Sequence, residues 1–481
     1  MASPLVPRRR VLQGIAAGSG LLMAGGLRIP LAEGAPRINQ PGNRPDPSKP
    51  EGIDMLPQVE HIIIYMQENH SWDAYFGMLG RGDGFSLDGQ GKPTNANPDG
   101  NGGVVGVKRA TTTCDGGGSS AGQNWNSTHK SINGGAMDGF AKLDPNAMRY
   151  WEGTDLPFYW GLANTFVLCD RWFASAPAQT HPNRRFLQAG TAFGMVKTSV
   201  QEVIDYPDAP NGVIWERLSD HGISWIDYCY DLPDIALFPN FWQANKKDHV
   251  RSIGDFLADC RDGKLPAVSI VSPGVADGAF SEEDRDIQRG EAYSSLLINA
   301  VMDSPNWDKT VMFFTYDEHG GEYDHVAPPA AIPPDDIPPR ITSSDEPGGY
   351  DMYGIRVPSI VISPFAKAGY VSSVVHDHTS ILRFIETKFN LGALTRRDAN
   401  ASDLLDTLDF SAKAFADPPQ LPAPAIPDAK STCDPDGPPL PTATDRSNTT
   451  TTSTTTTTTP GGGGGTAPPA TPVSGTSTYT G

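Results

Sequence analysis

The chain has few basic residues, few cysteines and no long apolar run, and each shortage argues against a class of function. Lys and Arg total 37 against 56 Asp and Glu, a net charge of -19. A nucleic-acid binder needs a basic face and a polybasic membrane anchor needs clustered cations, so this balance argues against both. Five cysteines, none in a C-x-x-C pair, leave no basis for a thiolate zinc site. An odd number also leaves at least one thiol free or joined to another chain, and spacing does not assign the pairs. The apolar stretch Gly14–Leu27 is too short for a confident membrane span. Hydrophobic content is 38%, below the globular average, and the deficit is partly local to residues 431 to 481.

What is present divides the chain into four parts. Residues 1 to 35 read as an export signal. Arg8-Arg9-Arg10-Val11-Leu12, followed by a Gly/Ala-rich apolar stretch, resembles a twin-arginine signal, and an ordinary secretory signal with a basic start is the other reading. Export permits disulfides. Residues 36 to 55, rich in Pro, Asn and Gly, read as a linker. Residues 56 to 417 read as one catalytic domain. Residues 418 to 481, with nearly pure threonine from Thr449 to Thr459, read as a disordered tail, either O-glycosylated or associated with a cell wall.

Within the domain, four apolar runs read as buried parallel strands: His61–Gln67, Ala267–Val271, Thr310–Tyr316 and Val357–Ile362. Helical spacing follows in Glu291–Met302 and Thr379–Leu391. Alternating strands and helices predict an α/β fold, a doubly wound and mostly parallel sheet with helices on both faces and long loop insertions. Residues 80 to 135, rich in Gly, Asn and Thr, read as a loop lying over the domain rather than a separate core. A Pro/Asp loop over residues 329 to 350 is expected to border the site.

Three segments carry chemistry. Asp317, Glu318, His319, Glu322, Asp324 and His325 crowd into nine residues directly after an apolar run. Unpaired ionised groups are costly to bury, so this is either a solvated turn or a ligand-bearing loop at a strand end. Glu68 and Asn69 follow the first run in the same way and offer hard oxygen donors. There, a polar helix start capped by Asn69 or Ser71 is the competing reading. The third segment, Thr180-His181-Pro182-Asn183-Arg184, offers a hydroxyl that a cation or base could activate. It also offers a planar guanidinium at Arg184 that could bind a phosphate, with His181 beside it as a further substrate contact. A capping threonine is the plainer alternative. His129 and His378 stand alone in sequence.

Taken in order, these segments resemble a bacterial phosphoesterase family that contains phospholipases C and a related acid phosphatase. The resemblance rests on Met66 to Asp73, Met137-Asp138-Gly139-Phe140, Cys169 to Phe173, Thr180 to Arg184, Asp317 to Gly321 with Asp324-His325, and Asp377-His378-Thr379-Ser380. It implies an alkaline-phosphatase-like fold and one divalent metal ion held by Glu68, Asn69, Asp317 and Glu318. Thr180 would be the nucleophile, with His129, His325 and His378 binding phosphate or moving protons. The ion could be calcium, zinc, manganese or magnesium, and the sequence does not rank them. Relatives carry a His-Pro pair near the position of Glu282 to Asp286, where this chain has no histidine. The resulting expectation is a secreted phospholipase C-type phosphodiesterase, acting on phospholipids such as phosphatidylcholine to give diacylglycerol and a phosphorylated headgroup. A phosphomonoesterase using the same site and a non-enzymatic surface protein are the alternatives. The substrate is the expected partner, with peripheral contact to membranes or cell wall.

Overall fold

The apolar run His61–Gln67 forms strand β1, and Ile62 to Gln67 are buried. Thr310–Tyr316 is buried at every position and forms a strand directly beside it. The computed structural model describes residues 38–114, 121–274, 280–282 and 285–445. The expected export signal and the threonine-rich part of the tail lie outside the described residues. From Asn39 onward the described residues belong to one compact unit.

The main sheet has eight strands. They are β1 His61–Gln67, β2 Val167–Cys169, β3 Trp225–Cys229, β4 Val250–Ser252, β5 Val268–Ser272, β6 Thr310–Tyr316, β7 Ser359–Ile362 and β8 Val371–Ser372. Their spatial order is β8-β2-β7-β6-β1-β5-β3-β4. All pairings are parallel except those of β7, which runs antiparallel to both β6 and β2. The expected mostly parallel α/β sheet is therefore present, but its fourth expected strand points the other way. A strand buried on both faces shows the same unbroken apolar run in either direction, so its pattern does not encode orientation.

The helices that matter below are α1 Trp72–Phe76, α2 Thr180–Ala189, α3 Val200–Asp205, α4 Pro239–His249, α5 Ile287–Met302 and α6 His378–Phe389. Helix α6 packs against α2. Ser71 caps α1, its hydroxyl accepting from the Ala74 amide at 3.1 Å, so that part of the capping reading holds. Residues 80 to 135 do more than lie over the domain. Phe85, Ala121 and Ile132 join Met137, Phe140, Met148, Tyr323 and Ile355, from beyond that stretch, in a small second core.

Both expected flanking segments are tied to the domain where they are described. The 36 to 55 segment is not a loose linker from residue 39 on. The Gly42 amide donates to the Ala393 carbonyl at 2.7 Å and the Met55 amide to Lys388 at 2.7 Å. The Asn390 side chain donates to the carbonyls of Asp46, Lys49 and Pro50. The tail holds its place as far as Asp445. Arg289 donates to the Ala429 carbonyl at 3.0 Å, Ser252 donates to Asp445 at 3.0 Å, and Cys433 forms a disulfide with Cys114. These partners lie far away in sequence, so local composition could not reveal them. Cys169, Cys229 and Cys260 are buried thiols.

One carboxylate is buried completely beneath the end of β1. Glu282 accepts from Tyr75 at 2.5 Å, Tyr159 at 2.5 Å and Tyr316 at 2.9 Å, while its own amide donates to the Glu68 carbonyl at 2.8 Å. Burial pushes the Glu282 carboxyl up to about 7, against the opposing pull of His70 and the tyrosine hydroxyls. Such a group stabilises the fold fully below its unfolded pKa near 4.5, and this contribution falls away as pH rises through about 7.

Two outcomes follow from this packing. Replacing both Cys114 and Cys433 by Ser removes a staple between residues 319 apart. It should lower stability by about 2–4 kcal/mol and open the 418–445 segment to limited proteolysis; unchanged melting and cleavage would show that the staple contributes nothing. In Glu282→Gln, the fall in melting temperature between pH 5 and pH 8 should be shallower than in the native protein. The component removed is on the order of 3 kcal/mol, and an identical slope in thermal melts would contradict the assignment.

Candidate active site and metal centre

Strands β1 and β6 are parallel and in register, with Gln67 opposite Tyr316. Both runs therefore stop at the same level, and the residues that follow emerge side by side at the carboxyl edge of the sheet. The Asp317 amide donates to the Gln67 carbonyl at 3.2 Å, which fixes the two exits together. Glu68-Asn69 and Asp317-Glu318 thereby meet, although they are separated by 249 positions. The Asn69 amide nitrogen donates to Glu318 Oε1 at 2.6 Å. The Gly320 amide donates to Glu318 Oε2 at 2.9 Å, and the Glu318 amide to Asp317 Oδ1 at 2.8 Å. A side chain at Gly320, where φ is +61°, would run into the Asn69 carbonyl oxygen.

Thr180 joins this group from another element. It is the first residue of α2, and Gln179 before it makes no side-chain cap bond. The Thr180 hydroxyl does not cap the helix either; it donates to Glu68 Oε1 at 2.8 Å. The hydroxyl thus sits at the positive end of a ten-residue helix and against a carboxylate.

Arg184, one turn along α2, is occupied by protein carboxylates. Its Nε donates to Asp317 at 2.9 Å and its Nη1 to Asp234 at 2.9 Å, and Nη2 lies 3.8 Å from Glu68. It was expected to hold substrate phosphate, and in this arrangement it holds the acidic residues in place. Burial of so many carboxylates demands a cation, and the guanidinium fork is the one that α2 supplies.

The expected histidines separate. His378 touches the centre from behind: Trp172 Nε1 donates to its Nδ1 at 3.4 Å, so its Nε2 carries the proton and donates to the Asp317 carbonyl at 2.8 Å. Burial lowers it to about 4, so it is a neutral strut for the Asp317 backbone. His181 lines the same cavity as Thr180 and Arg184, a space of about 810 Å³. Its Nδ1 accepts from the Ser199 amide at 3.2 Å, and burial followed by the nearby arginines lowers it to about 4. His129 lines a different cavity of about 570 Å³, with its Nδ1 against the Trp125 carbonyl at 2.8 Å. His325 belongs to a separate network, in which its amide and its Nδ1 both reach Asp73 Oδ2 at 2.7 Å.

Sequence reasoning missed that network. Asp73, Asp324 and His325 present ligand atoms within 4.8 Å of one another, a grouping that could hold a metal ion, whereas Glu68, Asp317 and Glu318 do not meet so close a limit. Charge separates the two groupings. Arg356 donates to Asp73 at 3.0 Å and to Asp324 at 2.9 Å. Burial would depress His325, but Asp73 and Asp324 outweigh it and raise it to about 9. There Asp73 and Asp324 face Arg356 and His325, with Asp83 lying 3.4 Å from His325 Nε2, and burial raises Asp324 against the pull of Arg356. At the strand exits, Glu68 and Asp317 share one guanidinium with Asp234, and Glu318 is held by the Asn69 side chain and the Gly320 amide. Burial first, and then mutual repulsion, push Asp317 and Glu318 well above the usual carboxylate range, with Arg184 opposing at Asp317 and the Gly320 amide at Glu318. Buried carboxyl groups that resist ionising beside so little positive charge, with hard oxygen donors, fit a divalent cation whose charge would offset theirs.

A profile described as the Phosphoesterase family matches residues 59–392. The chain is 32% identical over 438 residues to phospholipase C B of Mycobacterium tuberculosis, covering 77% of this chain and 81% of that protein. It is 31% identical over 431 residues to the non-hemolytic phospholipase C of Pseudomonas aeruginosa, covering 78% of this chain and 60% of that one. Among solved structures, a protein in the alkaline phosphatase superfamily from Vibrio parahaemolyticus matches with a TM-score of 0.39 at 9% identity, covering 77% of this chain and 73% of its own. The matched stretch contains every expected site residue, from Glu68 to His378, and the chain belongs to the Phosphoesterase family.

Proposed function

We propose that this phosphoric ester hydrolase is a metal-dependent phosphodiesterase of the phospholipase C type, with Thr180 as its nucleophile. The observation that carries the reading is the Thr180 hydroxyl, 2.8 Å from Glu68 at the start of α2 and on the wall of a large cavity. Glu68, Asn69, Asp317 and Glu318 would hold one divalent ion. When bound, that ion supplies positive charge to the Thr180 alkoxide and to the phosphate oxygens.

The chain's own groups do the rest. Glu68 Oε1 orients the Thr180 proton away from the attacking lone pair. The α2 amino end favours the negative charge that grows on Oγ1 and on the phosphoryl group. Attack at phosphorus breaks the bond to the alcohol, whose oxygen takes up the proton that Thr180 gives up, and leaves the phosphorylated headgroup on Thr180, which water then removes. Arg184 keeps Asp317, Asp234 and Glu68 from repelling one another apart. His378 holds the Asp317 backbone, and burial keeps it uncharged at neutral pH.

Names of relatives support a phospholipid substrate, since both bacterial proteins above are called phospholipases C. Export through the twin-arginine route is supported by Arg8-Arg9-Arg10 and by the Cys114–Cys433 disulfide, which suits an oxidising compartment.

Thr180→Ala should reduce hydrolysis of p-nitrophenylphosphorylcholine by about three orders of magnitude or more, with an unchanged melting temperature. Native-like turnover in that variant would sink the assignment of the nucleophile. The native protein should also act faster on this diester than on p-nitrophenyl phosphate; a dominant monoester rate would favour a phosphomonoesterase.

A further inference from the structure

The cavity beside Thr180 has two chemically different sides. Thr180, Arg184, Asp234 and Ser272 make a polar floor, and Val200, Val203, Ile204, Leu232 and Trp242 make an apolar wall. The wall does not end inside the protein. Val200 is 64% exposed, Ile204 58% and Leu232 48%. Scattered exposed apolar side chains are ordinary, but three of the most open ones among the described residues line this single cavity. They are also lightly held. Helix α3 has six residues and buries only Val203, and α4, which carries Trp242, buries none.

A small, soluble phosphate ester would fill the floor and leave this wall facing water. An ester whose alcohol is an acylated glycerol would cover it. Trp242 on α4, with the Lys246 amino group 5.4 Å from its ring centre, adds an aromatic and a cation of the kind that suit a lipid headgroup region. We propose that the wall receives the diacylglycerol leaving group of a bilayer phospholipid while its phosphate sits at Thr180. Val200, Ile204 and Leu232 form the rim that dips into the lipid surface. This rests on the reading of Thr180 given above, and adds where the apolar part of the substrate goes and how the enzyme meets a membrane.

The test compares the full-length protein with a Val200→Ser/Ile204→Ser double variant on two substrates: phosphatidylcholine vesicles and soluble p-nitrophenylphosphorylcholine. The ratio of vesicle rate to soluble rate should fall on the order of tenfold or more in the double variant, since each exposed side chain loses its transfer into lipid. The soluble rate in the same preparation reports whether the variant is folded. A ratio equal to that of the native protein would overturn the proposal. Vesicle co-sedimentation in the Thr180→Ala background separates it from the chemistry. Weaker sedimentation on adding Val200→Ser/Ile204→Ser supports the rim even if Thr180 proves not to be the nucleophile, and undiminished sedimentation refutes the rim even if Thr180 is.

Discussion

The parallel register of β1 and β6 is the constraint on which the centre depends. Because Gln67 lies opposite Tyr316, both strands deliver their next two residues to one place. A slip of one residue would exchange the two faces of strands that are buried on both, so each side chain would lose its fitted neighbours and the two polar exits would part by a residue. The hydrophobic core thus sets the geometry of the carboxylates. Helix α2 then needs only to start at Thr180 for a hydroxyl to meet Glu68, and α6 packs against it with His378 against Asp317.

Charge gives this geometry its chemical meaning. The molecule buries two acidic groupings close in sequence and treats them differently. Asp73 and Asp324 are paired with Arg356 and a raised His325, which reaches on to Asp83. Glu68 and Asp317 share Arg184 with Asp234, while Glu318 beside them has no arginine of its own among the described residues. Removing one partner from a balanced buried network is destabilising, whereas an unbalanced one is suited to an exchangeable cation. Glu282 belongs to the supporting structure. It receives three tyrosine hydroxyls and braces the Glu68 carbonyl.

The sequence made the central strands legible because β1 and β6 are unbroken apolar runs with abrupt polar ends. The acidic pairs at the strand exits, Glu68-Asn69 and Asp317-Glu318, were legible for the same reason, since ionisable groups at a strand exit need partners. The direction of β7 was not, and neither was β2, which is too short to show a pattern. The histidines were the least legible. An imidazole's role depends on what packs behind it, and Trp172 behind His378 and Asp73 beside His325 come from separate segments, while His129 turns to the Trp125 carbonyl of its own helix. Arg184 was seen as a phosphate fork because its three carboxylate partners are scattered over Glu68, Asp234 and Asp317. The 418–445 segment looked disordered because its anchors, Cys114, Arg289 and Ser252, lie far upstream.

The account turns on which acidic grouping carries the cation, and metal analysis of the purified full-length protein addresses that directly. The expected result is one divalent ion per chain, lost from Glu318→Gln and kept in His325→Ala. An ion that survives Glu318→Gln, or one that disappears with His325→Ala, would contradict the placement of the metal beside Thr180.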